Sequence, residues 1–483
     1  MNWGVITRNV GIALICNAVF MFLSAGVAAL DGFDTSFSPL ILGAVITLMV
    51  GLFPLIFTKR AKDINTREGL AILLFSWVLS CLFAMIPYVL WGGEFTLVNA
   101  WFESASGITT TGATILEDIE ALPKGLLFWR SSTHYIGGLG VVVFIMMILP
   151  TFGTVRFKMS KMDVDEISKS NYRYKSDTFI KVVVTVYLGI TVASFLLLML
   201  AGMSPFDAIN HALSVTATGG FSTKNASIAA FGSVWIEIIL MFFMIVASLH
   251  FGLIYASIAG RNLKVLKNPV TKFYLSTILI ASVLVSLNLL FQGTFDSADD
   301  ALRNGFFAVI STISTTGFGI ADTNLWPVFS ILVLLYASIQ CGCSGSTTSG
   351  LRSDRVWLLF KAAKAQLVKI AHPNAVISVK TGGQTIDRDM LSSVTIYVLL
   401  YLFITFIMAL VYSVFGVDML SSVGASVSMM SNVGPCFGDI CSASGSFSAA
   451  PAFVKFLMGL QMIVGRLGIY TILLTFVLYR RRA

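Results

Sequence analysis

Four short strings of hydroxyl residues and glycine hold the chemistry of this chain: Ile108-Thr109-Thr110-Thr111-Gly112, Val215-Thr216-Ala217-Thr218-Gly219, Ile313-Ser314-Thr315-Thr316-Gly317 and Met430-Ser431-Asn432-Val433-Gly434. Each carries a hydroxyl three residues before its last glycine, at Thr109, Thr216, Ser314 and Ser431. Glycine lets a backbone turn its carbonyls to one side, and four such segments can ring a cation that has shed its water. One Thr-Gly string is ordinary loop punctuation. Four of them, each preceded by an apolar span and a short amphipathic segment and followed by another span, have the layout of a cation pore.

The elements that must position these strings lie in a bilayer. Hydrophobic residues make up 56% of the chain, charged residues only 12%, and mean hydropathy is +0.86; soluble domains are about a quarter charged. Runs of spanning length, about 20 residues, occur at 9–30, 70–91, 126–152, 182–203, 234–259, 390–415 and 453–479, with slightly short ones at 40–57 and 273–291 and an interrupted one from Pro327. The sequence thus predicts an all-α polytopic membrane protein of ten spans. The first run is too long for a signal-peptide core and reads as a permanent span.

Charge gives the orientation. The side holding Arg8, the 59–68, 154–181 and 261–272 loops, the 351–389 region and the Arg480-Arg481-Arg482 tail carries 26 of the 32 Lys and Arg but 9 of the 24 Asp and Glu. Cytoplasmic loops hold the Lys/Arg excess, so both termini are expected inside the cytoplasmic membrane, with the four glycine loops opening from outside. This charge is spread over short loops, which argues against nucleic-acid binding. Outside, Glu94, Glu117, Asp118, Glu120, Asp296, Asp299, Asp300 and Asp322 either concentrate cations near the mouth or simply mark the lack of basic residues there.

After two extra spans in 1–68, the chain divides into four units of span, short segment, glycine loop and span: 69–177, 178–269, 270–388 and 389–483. Asn99 and Asp207 are expected helix starts, aiming half-helix C-terminal ends at the pore centre. Non-helical backbone at membrane depth is allowed only where it lines a cavity or is buried in protein. The expected fold is therefore four span–pore-loop–span repeats in pseudo-fourfold arrangement around one pore.

At this point the residues match a known family. The chain resembles the Trk/Ktr/HKT superfamily of K+ transporters, and within it the membrane subunit of the bacterial Trk uptake system, over nearly its whole length. The resemblance rests on Ser106-Gly107-Ile108-Thr109-Thr110-Thr111-Gly112-Ala113-Thr114, Gly219-Gly220-Phe221-Ser222-Thr223, Gly260-Arg261-Asn262-Leu263-Lys264-Val265, His372-Pro373-Asn374-Ala375-Val376 and Gly465-Arg466-Leu467. It implies that Gly112, Gly219, Gly317 and Gly434 are selectivity-filter glycines. The K+ (or Rb+) would be bound by Thr109, Thr110, Thr111, Thr216, Ala217, Thr218, Ser314, Thr315, Thr316, Ser431, Asn432 and Val433 beside them. Glycine at all four places is the pattern associated with K+; the two extra N-terminal spans favour the Trk branch. The resemblance further implies a homodimer with one pore per protomer and a separate cytoplasmic nucleotide-binding ring, TrkA-like, that opens the gate.

The same resemblance bears on Gln340-Cys341-Gly342-Cys343-Ser344-Gly345-Ser346-Thr347-Thr348-Ser349-Gly350, where glycine and serine interrupt an apolar span. It implies an intramembrane gate beneath the filter, at Gly342, Gly345, Ser346, Thr347, Thr348 and Gly350. The preceding Pro327–Ile339 stretch is too short to cross about 30 Å of hydrocarbon as a helix, which weakens the reading of an ordinary surface loop. Arg466 lies 14 residues before Arg480, about 21 Å along a helix. A guanidinium at that depth is by default functional; by resemblance it faces the pore and repels cations or pairs with the gate loop. Gly468 stands where relatives often carry Glu, so a local salt bridge is absent.

The remaining candidates carry less. Cys341 and Cys343 form a C-x-C without a nearby His, and His134, His211, His250 and His372 share no metal spacing. Cys436 and Cys441 lie outside, where an oxidising compartment would let them pair. The basic amphipathic segment Leu351–Ile370 suits either a membrane surface or a partner. No triad, Walker loop or dinucleotide fingerprint occurs, so no enzyme and no resident cofactor are expected. Three functions stand: a gated, K+-selective, channel-like pore; a K+ symporter coupled to H+ or Na+; and a non-transporting scaffold, which leaves four filter loops unexplained.

Overall fold

A computed structural model describes residues 2–58, 64–148, 176–374, 378–381, 384–438, 440 and 446–480. Outside them fall the 59–63 and 154–175 parts of the basic loops, the last residues of the 126–152 run, Ala375 and Val376, Cys441, and Arg481 and Arg482.

Among the described residues the chain is mostly helical, with one two-stranded antiparallel pairing of Lys380–Thr381 with Gln384–Thr385. Six helices among the described residues are long and apolar enough to cross a bilayer: Trp3–Leu30, Phe37–Phe57, Arg67–Trp91, Lys181–Leu200, Pro269–Phe291 and Arg388–Val414. Large apolar side chains stand exposed along them, among them Met49, Phe53, Val192, Ile280, Leu399 and Phe406. That is the surface a helix presents to lipid rather than to water.

Two runs read from hydropathy as single spans are broken. Val234–Ala247 and Phe251–Ala259 meet at 101°, and Ala452–Leu467 and Ile469–Thr475 at 98°. Apolar content continues through both breaks, so composition hides them. The second break falls at Gly468, whose φ of +81° a side chain would resist. The first, at 248–250, frees backbone groups that must find partners in the interior. Ser248 O accepts from Cys343 N at 2.9 Å, Phe251 N donates to Gly345 O at 3.0 Å, and Ala247 O accepts from the Thr347 hydroxyl at 3.2 Å. The broken span and the glycine-serine loop complete each other.

Four shorter helices precede the glycine loops: Leu97–Ile108, Pro205–Ala217, Ala298–Ile313 and Met419–Ser431. Each begins at a side chain that accepts a backbone N–H from three residues on, at Thr96, Ser204, Ser297 and Asp418. The expected starts at Asn99 and Asp207 are thereby corrected. Both lie inside the first turn, where Asn99 N and Asp207 N donate to the true caps. All of the 340–350 stretch except half-buried Gly345 is buried. Cys436 is disulfide-bonded, whereas Cys16, Cys81, Cys341 and Cys343 are free.

Candidate ion-conducting site

The four glycine loops close on one another. A Cβ on Gly112 would collide with the carbonyl oxygen of Gly219, one on Gly220 with that of Thr316, one on Gly317 with that of Val433, and one on Gly434 with that of Thr111. Each loop therefore touches the next in chain order and the fourth returns to the first. The four glycines also share a left-handed φ: +83°, +88°, +80° and +95°.

This geometry moves the second loop by one residue. The residue two before each of those glycines is itself left-handed, at Thr110, Thr218, Thr315 and Asn432. The residue just before each donates its N–H to a serine carbonyl five positions back: Thr111 to Ser106, Gly219 to Ser214, Thr316 to Ser311 and Val433 to Ser428, at 2.8 to 3.1 Å. The counterpart of Gly112, Gly317 and Gly434 is thus Gly220, and Gly219 occupies the place of Thr111, Thr316 and Val433. The expected string Thr216-Ala217-Thr218-Gly219 becomes Ala217-Thr218-Gly219-Gly220, and Thr216 drops back to the end of its helix. A sequence signal existed: a serine stands six residues before each structural glycine, at 106, 214, 311 and 428.

Side chains fasten the loops from behind. Thr109 and Thr111 share a hydroxyl contact of 2.7 Å, and Ser314 and Thr316 one of 2.8 Å. Ser428 donates to Gly434 O at 2.9 Å, and Asn432 Nδ2 donates to the Thr111 hydroxyl at 2.9 Å, joining the fourth loop to the first. The carbonyls at the ring are set by packing and hydrogen bonds, the preorganisation an ion site needs.

Directly beneath lies the glycine-serine loop. Thr347 donates to Thr216 O at 3.2 Å, and Thr218 donates to the Thr347 hydroxyl at 3.3 Å. Ser346 shares a hydroxyl contact of 2.7 Å with Thr348. Gly345 and Gly350 have φ of +76° and +74°; a Cβ would meet His250 at the first and Cys341 at the second, while one on Gly342 would meet Thr348. Arg466, 4% exposed, enters from the last broken helix: Nη1 donates to Thr347 O at 2.7 Å and the Ser349 hydroxyl at 2.6 Å, and Nη2 to Gly137 O at 3.3 Å. The residue that sequence left without a partner is held by this loop, through neutral oxygens.

The loop is tied on its far side to helix Ser353–Ala371. Asp354 Oδ2 accepts from Ser344 N at 2.6 Å, Ser353 Oγ donates to Cys341 O at 2.6 Å, and Ser353 N to Gly342 O at 2.9 Å. Further along, this helix exposes Phe360, Leu367 and Ile370 beside its lysines. A second buried charge, Glu103, is paired with Arg130 at 2.8 Å, both fully buried. Arg130 was not foreseen: the two residues stand 27 apart, and no local spacing links them.

With this arrangement in place, three comparisons converge. The family model for TrkH, described as a cation transport protein, matches residues 40–481. The chain is similar to the Trk system potassium uptake protein TrkH of Salmonella typhimurium, 32% identical over 482 residues and 99% of each chain. It is similar also to TrkG of Escherichia coli, 32% identical over 86% of each. The crystal structure of the potassium transporter TrkH from Vibrio parahaemolyticus superposes with a TM-score of 0.89 at 29% identity, covering 98% of both chains. A ring of four glycine loops over a buried glycine-serine loop, on a polytopic helical scaffold matched end to end, leads to one assignment: the chain belongs to the TrkH family of cation transport proteins.

Proposed function

We propose that this protein takes up K+ across the cytoplasmic membrane through a gated, channel-like pore with a backbone-carbonyl filter. The observation that carries the reading is the closed ring of four left-handed glycines, set by a scaffold shared with proteins named for potassium uptake. In this reading ten spans form two N-terminal helices and four repeats around one pore, with both termini cytoplasmic. K+ loses its water to the carbonyls of Thr110 to Gly112, Thr218 to Gly220, Thr315 to Gly317 and Asn432 to Gly434.

The loop from Gly342 to Gly350, with Arg466 in its underside, is the gate. Its Thr347 carbonyl and Ser349 hydroxyl hold the guanidinium, and the positive charge repels cations while the loop stays in place. The protein works as a homodimer, and a cytoplasmic nucleotide-binding partner of the TrkA kind acts through helix Ser353–Ala371. The ties from Ser353 and Asp354 to the loop support that route. Ion-coupled symport would need a free intramembrane acid. Glu103 is already engaged by Arg130, Thr114 and Ile115 N, which disfavours it as a proton carrier.

The test is tracer flux into proteoliposomes. K+ and Rb+ flux exceeding Na+ flux, lost as discrimination in Gly112→Ser and Gly220→Ser, supports the reading. Flux indifferent to both glycines, or dependent on a proton or Na+ gradient, replaces it with coupled transport.

A further inference from the structure

We propose that Arg130, positioned by Glu103, fixes the spacing between the first and second filter loops and so sets the ion discrimination of the pore; this rests on the functional reading above. The first and second loops share a register. Thr114 stands two residues after Gly112, and Ser222 two residues after Gly220, the glycine that backbone geometry assigns to the second loop. One guanidinium reaches both: Nη2 donates to the Thr114 hydroxyl at 3.2 Å and Nη1 to Ser222 O at 3.3 Å.

Glu103 sits on the first pore helix and holds the third edge. Its Oε1 accepts from Arg130 Nε at 2.8 Å, its Oε2 accepts from Ile115 N at 3.1 Å, and Thr114 donates to it at 3.0 Å. The guanidinium also lies 4.1 Å from the ring centroid of Phe221, between Gly220 and Ser222. Corresponding positions on the other two walls are Gly319 and Cys436, which are held by a serine hydroxyl and a disulfide. The brace belongs to one corner of the ring.

A buried ion pair contributes little net stability, because desolvation offsets attraction. Its geometric value is larger: a planar fork of five donors satisfies three acceptors at fixed separations, which a lysine ammonium on a flexible stem cannot do. K+ and Na+ differ in the carbonyl spacing and number that suit them. A group that sets the distance between two of four walls therefore acts on selectivity more than on passage. Glu103 and Arg130 are positioning residues and do not touch the ion.

The experiment compares K+ and Na+ flux in proteoliposomes of the full chain for wild type, Gly112→Ser, Arg130→Lys, Glu103→Gln, Thr114→Val and the double variant Glu103→Gln/Arg130→Lys, with thermal unfolding measured on the same samples. Expected is a K+/Na+ flux ratio lowered about tenfold in Arg130→Lys and Glu103→Gln, the scale of one charge-assisted hydrogen bond, with K+ flux retained and the double variant no worse than the lower single. Thr114→Val removes one link without burying an unpaired charge; it carries the test if the charge variants do not fold, and its ratio falls in the same direction. Lowered melting temperature with an unchanged ratio overturns the proposal and leaves the pair as packing, while loss of discrimination in Gly112→Ser keeps the pore reading. A wild type that does not distinguish K+ from Na+ overturns the pore reading and this inference together.

Discussion

The His134 ring stands where a side chain on Gly219 would begin: a Cβ there would collide with Nδ1, Cγ and Cε1. Gly219 lies outside the left-handed region, so its backbone alone would accept alanine. Gly220 differs, with φ of +88° and the Thr316 carbonyl against it. The ring is fixed in turn, stacked on Phe221 at 4.1 Å and 3.2 Å from the Ser214 hydroxyl. Overpacking of this kind costs about 1–3 kcal/mol. Gly219→Ala is expected to impair K+ flux, and Gly219→Ala/His134→Ala to be less impaired than Gly219→Ala alone. Gly220→Ala fails equally in both backgrounds. Equal rescue of the two glycines by His134→Ala would contradict the one-residue shift in the second loop.

Arg466 is the donor that fastens the loop below the ring. In Arg466→Gln the Thr347 carbonyl and Ser349 hydroxyl lose a charged partner, worth about 1.5–3 kcal/mol in a buried site, and a positive charge leaves the path. Basal K+ flux without any partner protein is expected to rise severalfold. Tracer uptake at matched reconstitution measures it, and unchanged flux would separate Arg466 from gating.

Asn225 joins the segment after the second glycine loop to the segment after the first. Its Nδ2 donates to Asp118 Oδ1 at 2.8 Å and its Oδ1 accepts from Ile119 N at 2.6 Å. The Asn225 bond is the main cause holding the Asp118 carboxyl below its usual range. A depressed carboxyl contributes stability present above its unfolded pKa and lost as pH falls through the folded one. The melting-temperature gap between wild type and Asn225→Ala should therefore be widest near neutrality and narrow below the ordinary Asp range. A gap constant with pH would assign the effect to the Ile119 bond alone.

Lys455, 6% exposed, donates to Asn99 Oδ1 at 3.0 Å and Ser448 O at 2.8 Å, tying helix Ala452–Leu467 to helix Leu97–Ile108. Lys455→Met leaves two acceptors short of a donor, a cost of about 1–3 kcal/mol. The expected result is a lower melting temperature with the K+/Na+ ratio intact, since neither acceptor belongs to a filter loop.

What sequence made legible was whatever repeats or departs from apolarity. Spans, four glycine loops, the buried glycine-serine loop and Arg466 all announce themselves that way. The second loop misled because Thr218-Gly219 copies the Thr111-Gly112 and Thr316-Gly317 pairs. Backbone handedness and the hydrogen bond to Ser214 distinguish Gly219 from Gly220, although serines at 106, 214, 311 and 428 mark the true register. The breaks at 248–250 and 468 were hidden because a bend leaves hydropathy unchanged. Arg130 escaped because it meets Glu103 and Ser222 only once distant segments are packed.

The ring drawn from one polypeptide has a consequence for variation. In a pore built from four identical subunits every substitution is made four times and the symmetry survives each change. Here Gly219 replaces a threonine or valine on a single wall, Asn432 stands opposite no second asparagine, and Arg130 braces a single corner. In the pore proposed above, each quarter of the aperture can be altered while the other three stay as they are, so its selectivity is open to adjustment by quarter steps.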